Sequence, residues 1–213
     1  MTYIEGILLG FIQAITEFLP ISSSGHLVLS QKLLGIESTD LIIEIILHLG
    51  TLLSIIIFFW DDLKTLAIKS IFKKDKSSQI FIAKILIATI PASIIGILFK
   101  DSLTQIFDSL LYVSFFFIIT GICLFLTRFS KNKITEISFV FALIIGLSQV
   151  LALLPGISRS GITIATALLL GIKSEDAARF SFFMAIPVLA GAGLLQVNDL
   201  MNIVNYSLLQ LFF

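Results

Sequence analysis

Charge is what this sequence has least of. Asp, Glu, Lys and Arg make up 13% of its 213 residues, about half of the roughly 25% that a soluble domain carries. So few charges cannot cover a water-facing surface. A soluble globular domain, a disordered chain, a coiled coil and a nucleic-acid binder are all excluded on that ground. The 14 basic and 14 acidic residues cancel, so net charge selects no partner. A single cysteine, Cys123, leaves no internal disulfide and no cysteine-based metal site. No basic residue precedes Lys32, so the N-terminus lacks the positive region of a cleavable signal. No Walker motif or glycine-rich nucleotide loop occurs. What remains is apolar: 57% hydrophobic residues, 20 of them phenylalanine, with a mean hydropathy of +1.08. The chain reads as an all-α polytopic membrane protein, with 1–213 as one membrane domain.

Four segments approach the ~20 residues that a bilayer span needs: 41–60, 80–99, 110–127 and 177–195. Two more apolar regions are interrupted. The region 3–35 contains Glu17, Pro20, Ser22–Ser24 and Gly25, and 139–171 contains Pro155, Gly156, Ser158, Arg159, Ser160 and Gly161. Lysines cluster in 61–79, and Arg128, Lys131 and Lys133 in 128–136. The positive-inside rule therefore places both stretches in the cytoplasm and 100–109 outside. Trp60, at the edge of a span, reads as an interfacial anchor.

Shifted by 136 residues, the sequence meets itself without a gap. Gly10-Phe-Ile-Gln13 lies over Gly146-Leu-Ser-Gln149, Ile21–Gly25 over Ile157–Gly161, and Leu33–Ile36 over Leu169–Ile172. Twelve of the 31 positions from Gly10 to Asp40 are identical. Apolar composition alone would not place Gly, Gln, Ser and Asp in register. With the loop assignments above, the repeat has inverted topology. Its first unit covers about 1–130 and its second about 134–213. The interrupted regions become two re-entrant helical hairpins that meet near the midplane, the plan of inverted repeats with broken helices. Counterparts of spans 80–99 and 110–127 would fall beyond Phe213, so either the second unit lacks two C-terminal helices, or the sequence is a fragment, or partner chains supply that wall.

Gln13 and Glu17 share a helix face at i, i+4 spacing. Pro20 ends that helix, Ser22–Gly25 make a small polar turn, and His26 opens the next helix. In the second tip Arg159 stands where the first has Ser23. One tip brings a carboxylate, hydroxyls and an imidazole, the other a guanidinium among hydroxyls. Charges at that depth cost about 2.5–3.5 kcal/mol each on insertion scales, which invites a Glu17–Arg159 ion pair. Ser22, Ser24, Ser158, Ser160 and Thr163, with two helix N-termini, also form a cradle suited to an anion. Arg binds phosphate through paired donors. Glu44 and His48 share a face of the following span.

The stretch Gln13-Ala-Ile-Thr-Glu17-Phe-Leu-Pro20-Ile-Ser-Ser23-Ser-Gly-His26, together with Pro155-Gly-Ile-Ser-Arg159-Ser-Gly-Ile-Thr163, resembles the bacitracin-resistance family of undecaprenyl-diphosphate phosphatases. The first matches the family's (Glu/Gln)-x-x-x-Glu motif and Ser-His stretch, the second its Pro-Gly-x-Ser-Arg-Ser-x-x-Thr motif. The stretches from Glu44 to Trp60 and from Ala178 to Pro187 are similar too, so the resemblance covers essentially the whole chain. It implies hydrolysis of undecaprenyl diphosphate to undecaprenyl phosphate and inorganic phosphate. It also implies a divalent metal, Mg²⁺ or Ca²⁺, a place in the inner (cytoplasmic) membrane, and a site open to its outer face. The partners implied are the polyprenyl diphosphate lipid and the membrane, with no nucleic acid; a homo-oligomer is left open. Members usually continue through two more helices at the C-terminus, and this chain departs from them there.

Match and chemistry together assign roles. Arg159 holds diphosphate oxygens, with Ser22, Ser24, Gly25, Gly156, Ser158, Ser160 and Thr163 lining the phosphate site. Ser23 is the nucleophile or orients the attacking water. Glu17 is general base or metal ligand, with Gln13 orienting it or the metal's water. His26 is an acid/base or the alternative nucleophile. Ser23 is preferred to His26 because it aligns with Arg159 across the repeat. Glu44 and His48 either contact a hairpin or support the metal. Two other readings stand beside this one: a transporter or flippase for a polyprenyl phosphate or small anion, and a non-catalytic protein with a structural ion pair.

Overall fold

The computed structural model describes residues 2–36, 41–99, 103, 106–107, 109–131 and 133–211. Side chains are described through 194, except at 41, 42, 44 and 45. Most of the described residues are helical: α1 (Tyr3–Phe18), α2 (Ser23–Leu33), α3 (Leu41–Phe58), α4 (Trp60–Ala67), α5 (Lys76–Leu98), α6 (Leu110–Leu126), α7 (Phe139–Leu151), α8 (Arg159–Leu169) and α9 (Ser174–Leu211). No strand forms among the described residues beyond one isolated bridge, Ile134 with Ile172.

Three described helices are long and apolar enough to cross a membrane: 76–98, 110–129 and 174–194. A fourth span results if Ile46–Phe58 and Trp60–Phe72 are taken together, although they meet at a 73° bend. The sequence placed a span at 41–60 followed by a loop. The chain instead bends at Phe59 and stays helical through α4 and a π-helical turn, Ile68–Phe72. Leu63 and Leu66 explain this, since both pack against the main core. Trp60 sits at the bend, largely exposed. The expected span at 80–99 starts earlier, where the Asp75 side chain accepts the Ser78 N–H and caps α5.

α1 and α2 form one helix–break–helix unit, and α7 and α8 another. α1 stops at Leu19, whose backbone is extended (φ −74°, ψ 138°) because Pro20 disfavours the helical conformation of the residue before it. α2 restarts with Ser22 Oγ accepting the Gly25 N–H. α8 restarts with Ser158 Oγ accepting the Gly161 N–H. Ser23–Leu33 and Arg159–Leu169 are the same segment displaced by 136 residues. Both close the same way, with Leu34 N–H to Ser30 O matched by Leu170 N–H to Thr166 O, and Ile36 to Gln31 matched by Ile172 to Ala167. Gly35 and Gly171 follow at positive φ, as helix C-termini favour. The chain entering the second unit pairs with the chain leaving it: the N–H groups of Lys133 and Ile134 both donate to Gly171 O, and Lys173 N–H donates to Ile134 O.

The two breaks touch. A Cβ on Gly25 would lie 2.9 Å from Gly156 Cα, and one on Gly161 would lie 2.9 Å from Pro20 O. Backbone is packed on backbone there, the contact that small residues permit where lipid supplies no hydrophobic drive between helices. Around the breaks, α5, α7, α8 and α9 enclose a core of Ile85, Ala88, Ala142, Ile145, Ala167, Phe180, Phe183 and Met184. Ile55 of α3 packs against Ala185 and Leu189 of α9.

Candidate functional site

A cavity of about 310 Å³ opens where the two breaks meet. The first break gives it Thr16, Glu17, Ser22, Ser23 and Ser24, and the second gives Ser158, Arg159 and Ser160. His48 of α3 and Gln149 of α7 add polar groups, while Leu49, Ala92, Phe107, Leu153, Val188 and Leu189 supply apolar wall. The N-termini of α2 and α8 thus bring their first-turn N–H groups, and the positive ends of their dipoles, to one place.

Glu17 is the hub. Its Oε1 lies 2.6 Å from Arg159 Nη2, an ion pair across the two breaks. Its Oε2 accepts a hydrogen bond from Ser23 Oγ and another from Gln13 Nε2 at 3.2 Å. His48 Nε2 stands 4.0 Å from the same oxygen. Ser160 Oγ donates to the Glu17 carbonyl at 3.3 Å, so the second break holds both ends of this residue. Arg159 is largely buried, yet only Nη2 reaches Glu17; its Nη1 has no partner among the described residues. A guanidinium carries five donors, and an ion pair alone would leave this one unpaired in a buried place.

The structure brings Glu17, Ser23 and Arg159 together, and Ser22, Ser24, Ser158 and Ser160 with them. Other expected residues stand apart from the cavity lining. Gln13 lies behind Glu17 and also donates to Thr51 Oγ1 at 3.3 Å. His26 has Nδ1 2.7 Å from Ser22 O and its ring edge against Phe117, 4.9 Å between centroids. Gly25 and Gly156 form the backbone contact between the breaks. Thr163 Oγ1 donates to Arg159 O at 2.7 Å and lies 2.7 Å from Ser181 Oγ, bracing the first turn of α8. The side chain of Glu44 falls outside the described residues.

Two contributors escaped the sequence reading. Thr120 of α6 donates to Gly156 O at 2.8 Å and accepts the Ser158 N–H at 3.1 Å, pinning the second break. Nothing along the chain marks it, because its partners are far away in sequence. Gln149 lines the cavity; its alignment with Gln13 across the repeat was the available signal.

No group of three or more His, Cys, Asp or Glu side chains that could hold a metal occurs among the described residues. The one buried carboxylate in the cavity, Glu17, stands amid hydroxyls, a set of oxygens that suits a hard divalent ion sharing its remaining positions with water and phosphate.

The chain is similar to known proteins along nearly its whole length. Residues 6–211 match the family described as "Bacitracin resistance protein BacA". A Halothermothrix orenii protein named undecaprenyl-diphosphatase is 43% identical over 95% of this chain and 77% of its own. Proteins of the same name from Methanosphaera stadtmanae (46%, 92% and 78%) and Thermosipho africanus (45%, 91% and 78%) are similarly close. On that match over nearly its whole length, the chain belongs to the bacitracin resistance protein BacA family.

Proposed function

We propose that this chain is a membrane phosphatase that hydrolyses undecaprenyl diphosphate to undecaprenyl phosphate and inorganic phosphate. It thereby recycles the lipid carrier of cell-wall synthesis and confers bacitracin resistance. One observation carries the reading: Glu17 accepts the Ser23 hydroxyl on one oxygen and the Arg159 guanidinium on the other, inside one cavity. A carrier would need no proton acceptor on a serine, and a purely structural ion pair would need neither the serine nor the unpartnered Nη1.

Diphosphate oxygens take Arg159 Nη1 together with the hydroxyls and N–H groups of the Ser22–Ser24 and Ser158–Ser160 turns. Binding there competes for the guanidinium and loosens its hold on Glu17, which becomes a better proton acceptor. Ser23 Oγ attacks the terminal phosphorus as its proton passes to Glu17 Oε2. The bond to the bridging oxygen breaks, and undecaprenyl phosphate leaves. Water then cleaves the Ser23 phosphoester, releases inorganic phosphate and restores the hydroxyl. Positioning and charge neutralisation do most of the work in such reactions. A divalent ion, Mg²⁺ or Ca²⁺, would supply further neutralisation of developing charge, and Glu17 would hold it as a metal ligand in place of serving as the base. Gln13 and His48 hold Glu17 in place. The location of His26, against Ser22 O and Phe117, supports Ser23 as the attacking group.

The two helix–break–helix units are re-entrant hairpins of an inverted repeat, with the cavity near the bilayer midplane and open to the outer face of the cytoplasmic membrane. The pairing of Ile134 with Ile172 supports this, because it puts the start and the end of the second unit side by side. The prenyl tail stays in the bilayer and reaches the cavity along its apolar wall.

The test is phosphate release from undecaprenyl diphosphate by the purified chain in detergent, with Mg²⁺ and with EDTA. Release that needs metal and vanishes in Ser23→Ala supports the scheme. Full turnover by Ser23→Ala would remove the phosphoserine step and leave an attacking water in its place.

A further inference from the structure

Gln149 is buried to within 2% of full cover, and neither its Oε1 nor its Nε2 has a hydrogen-bond partner among the described residues. A buried amide left unpaired is costly, and this one faces the cavity. Its counterpart across the repeat, Gln13, spends its Nε2 on Glu17 and Thr51, and only its Oε1 has no partner among the described residues. The residues displaced by 136 from those two are Leu153 and Pro187, and neither side chain can accept a hydrogen bond. The second unit has therefore kept the amide and lost both of its protein partners.

The amide is also held in place. One turn earlier, a Cβ on Gly146 would lie 2.3 Å from Ala88 O, so α7 sits backbone against α5 at that level. Ala92, one turn beyond Ala88, lines the cavity too. Ser148, the polar neighbour, bonds back to Ile145 O and offers nothing to Gln149. Gln31 also has a buried Nε2 without a partner among the described residues, but it lies outside the cavity lining.

We propose that Gln149 is a substrate-binding residue. Its Nε2 donates to a diphosphate oxygen, and its Oε1 accepts from a water that arrives with the substrate. This rests on the phosphatase reading and adds to it a neutral donor that α7 contributes to the cavity lining. A neutral amide recognises phosphate without a second charge to compete with Arg159 for Glu17.

The experiment compares wild type, Gln149→Leu, Gln149→Glu and the off-cavity control Gln31→Leu, purified in detergent. Three readouts are taken: KM and kcat for undecaprenyl diphosphate, melting temperature without ligand, and the rise in melting temperature caused by undecaprenyl diphosphate under EDTA. Gln149→Leu is expected to raise KM about tenfold with kcat nearly unchanged, the mark of lost binding rather than lost chemistry. It should melt at or above the wild-type temperature, because an unsatisfied amide has been removed. Gln149→Glu should lose more affinity, since an acceptor then faces phosphate, and Gln31→Leu should keep the wild-type KM. A wild-type KM in Gln149→Leu, or a clear drop in its ligand-free melting temperature, overturns the proposal; the second result would mean the amide has a partner inside the protein. Should the wild type release no phosphate, the phosphatase reading fails by itself. The ligand-induced rise then decides: lost in Gln149→Leu it upholds the binding role, and retained or absent in wild type it ends it.

Discussion

The first break runs from Leu19 to Ser22 and the second from Ala152 to Ser158. Both end in a serine that caps the next helix, but the backbone reaches it differently. In the first, Ser22 itself sits at φ 68°, ψ 96°, a conformation that L side chains rarely adopt. In the second, Ser158 is relaxed at φ −71°, and the positive φ falls on Gly156 at 102°, where no side chain resists it. The second break is also tied down, by Thr120 at its tip and by Ile134 and Ile172 at its base. The strained turn presents the serine hydroxyl and the carboxylate, while the tethered turn presents the guanidinium. In the proposed mechanism this sets the attacking serine beside a strained turn and the phosphate-binding charge on a tethered one, a division of labour that two identical hairpins could not provide.

The largest effects should come from the pair that joins the breaks. Arg159→Ala and Glu17→Ala should each cut phosphate release by at least about 10²–10³-fold, the scale of removing a preorganised charge-stabilising donor. Arg159→Lys should not restore it, because a lysine is a point charge without the planar fork. Near-normal turnover in any of these purified variants would remove the site from this cavity. In stability, losing one partner of a buried pair costs about 3–5 kcal/mol. Glu17→Gln combined with Arg159→Met should recover most of that loss in thermal melts while remaining inactive. A double variant as unstable as either single one would argue against a strong pairing.

Next in size is the backbone of the second break. A Cβ at Gly156 would lie 2.5 Å from Val113 O, and its φ is strained for any other residue. Gly156→Ala should cost about 1–3 kcal/mol and lower activity by displacing Arg159. Smallest and most telling are the two capping serines. Ser22→Gly relieves the unusual φ and loses little of the cap, so it should stabilise by roughly 1 kcal/mol. Ser158→Gly has no strain to relieve and should cost roughly 0.5–1 kcal/mol in backbone entropy. Melting curves that move the same way for both would erase the asymmetry between the breaks.

Much of this was legible along the chain. Pro20 and the Ser22–Gly25 run mark where a helix stops and restarts, and Pro155–Gly161 does the same in register. Glu17 and Arg159, set in long apolar stretches, stood out because charge there is expensive. The bend at Phe59 was not legible, since α4 is held by Leu63 and Leu66 against a core assembled from distant helices. Nor was the fate of His26 or Thr163. Each belongs to the motif, yet one turns to Ser22 O and Phe117 and the other braces α8 through Ser181. Thr120 carries no local signature, because its partners lie 36 and 38 residues along the chain.

By itself the sequence determined that the chain is helical and membrane-bound, that it contains two related broken segments, and that one bears a carboxylate and the other a guanidinium. Those properties follow from composition, periodicity and the cost of local breaks, all of which are written in neighbouring residues. Tertiary structure alone decided which motif residues face the cavity, which lock the scaffold behind it, and that Gln149 stands there with no partner of its own. A side chain's partner depends on which backbones can approach closely, and here the glycines at the contact between the two breaks set that distance.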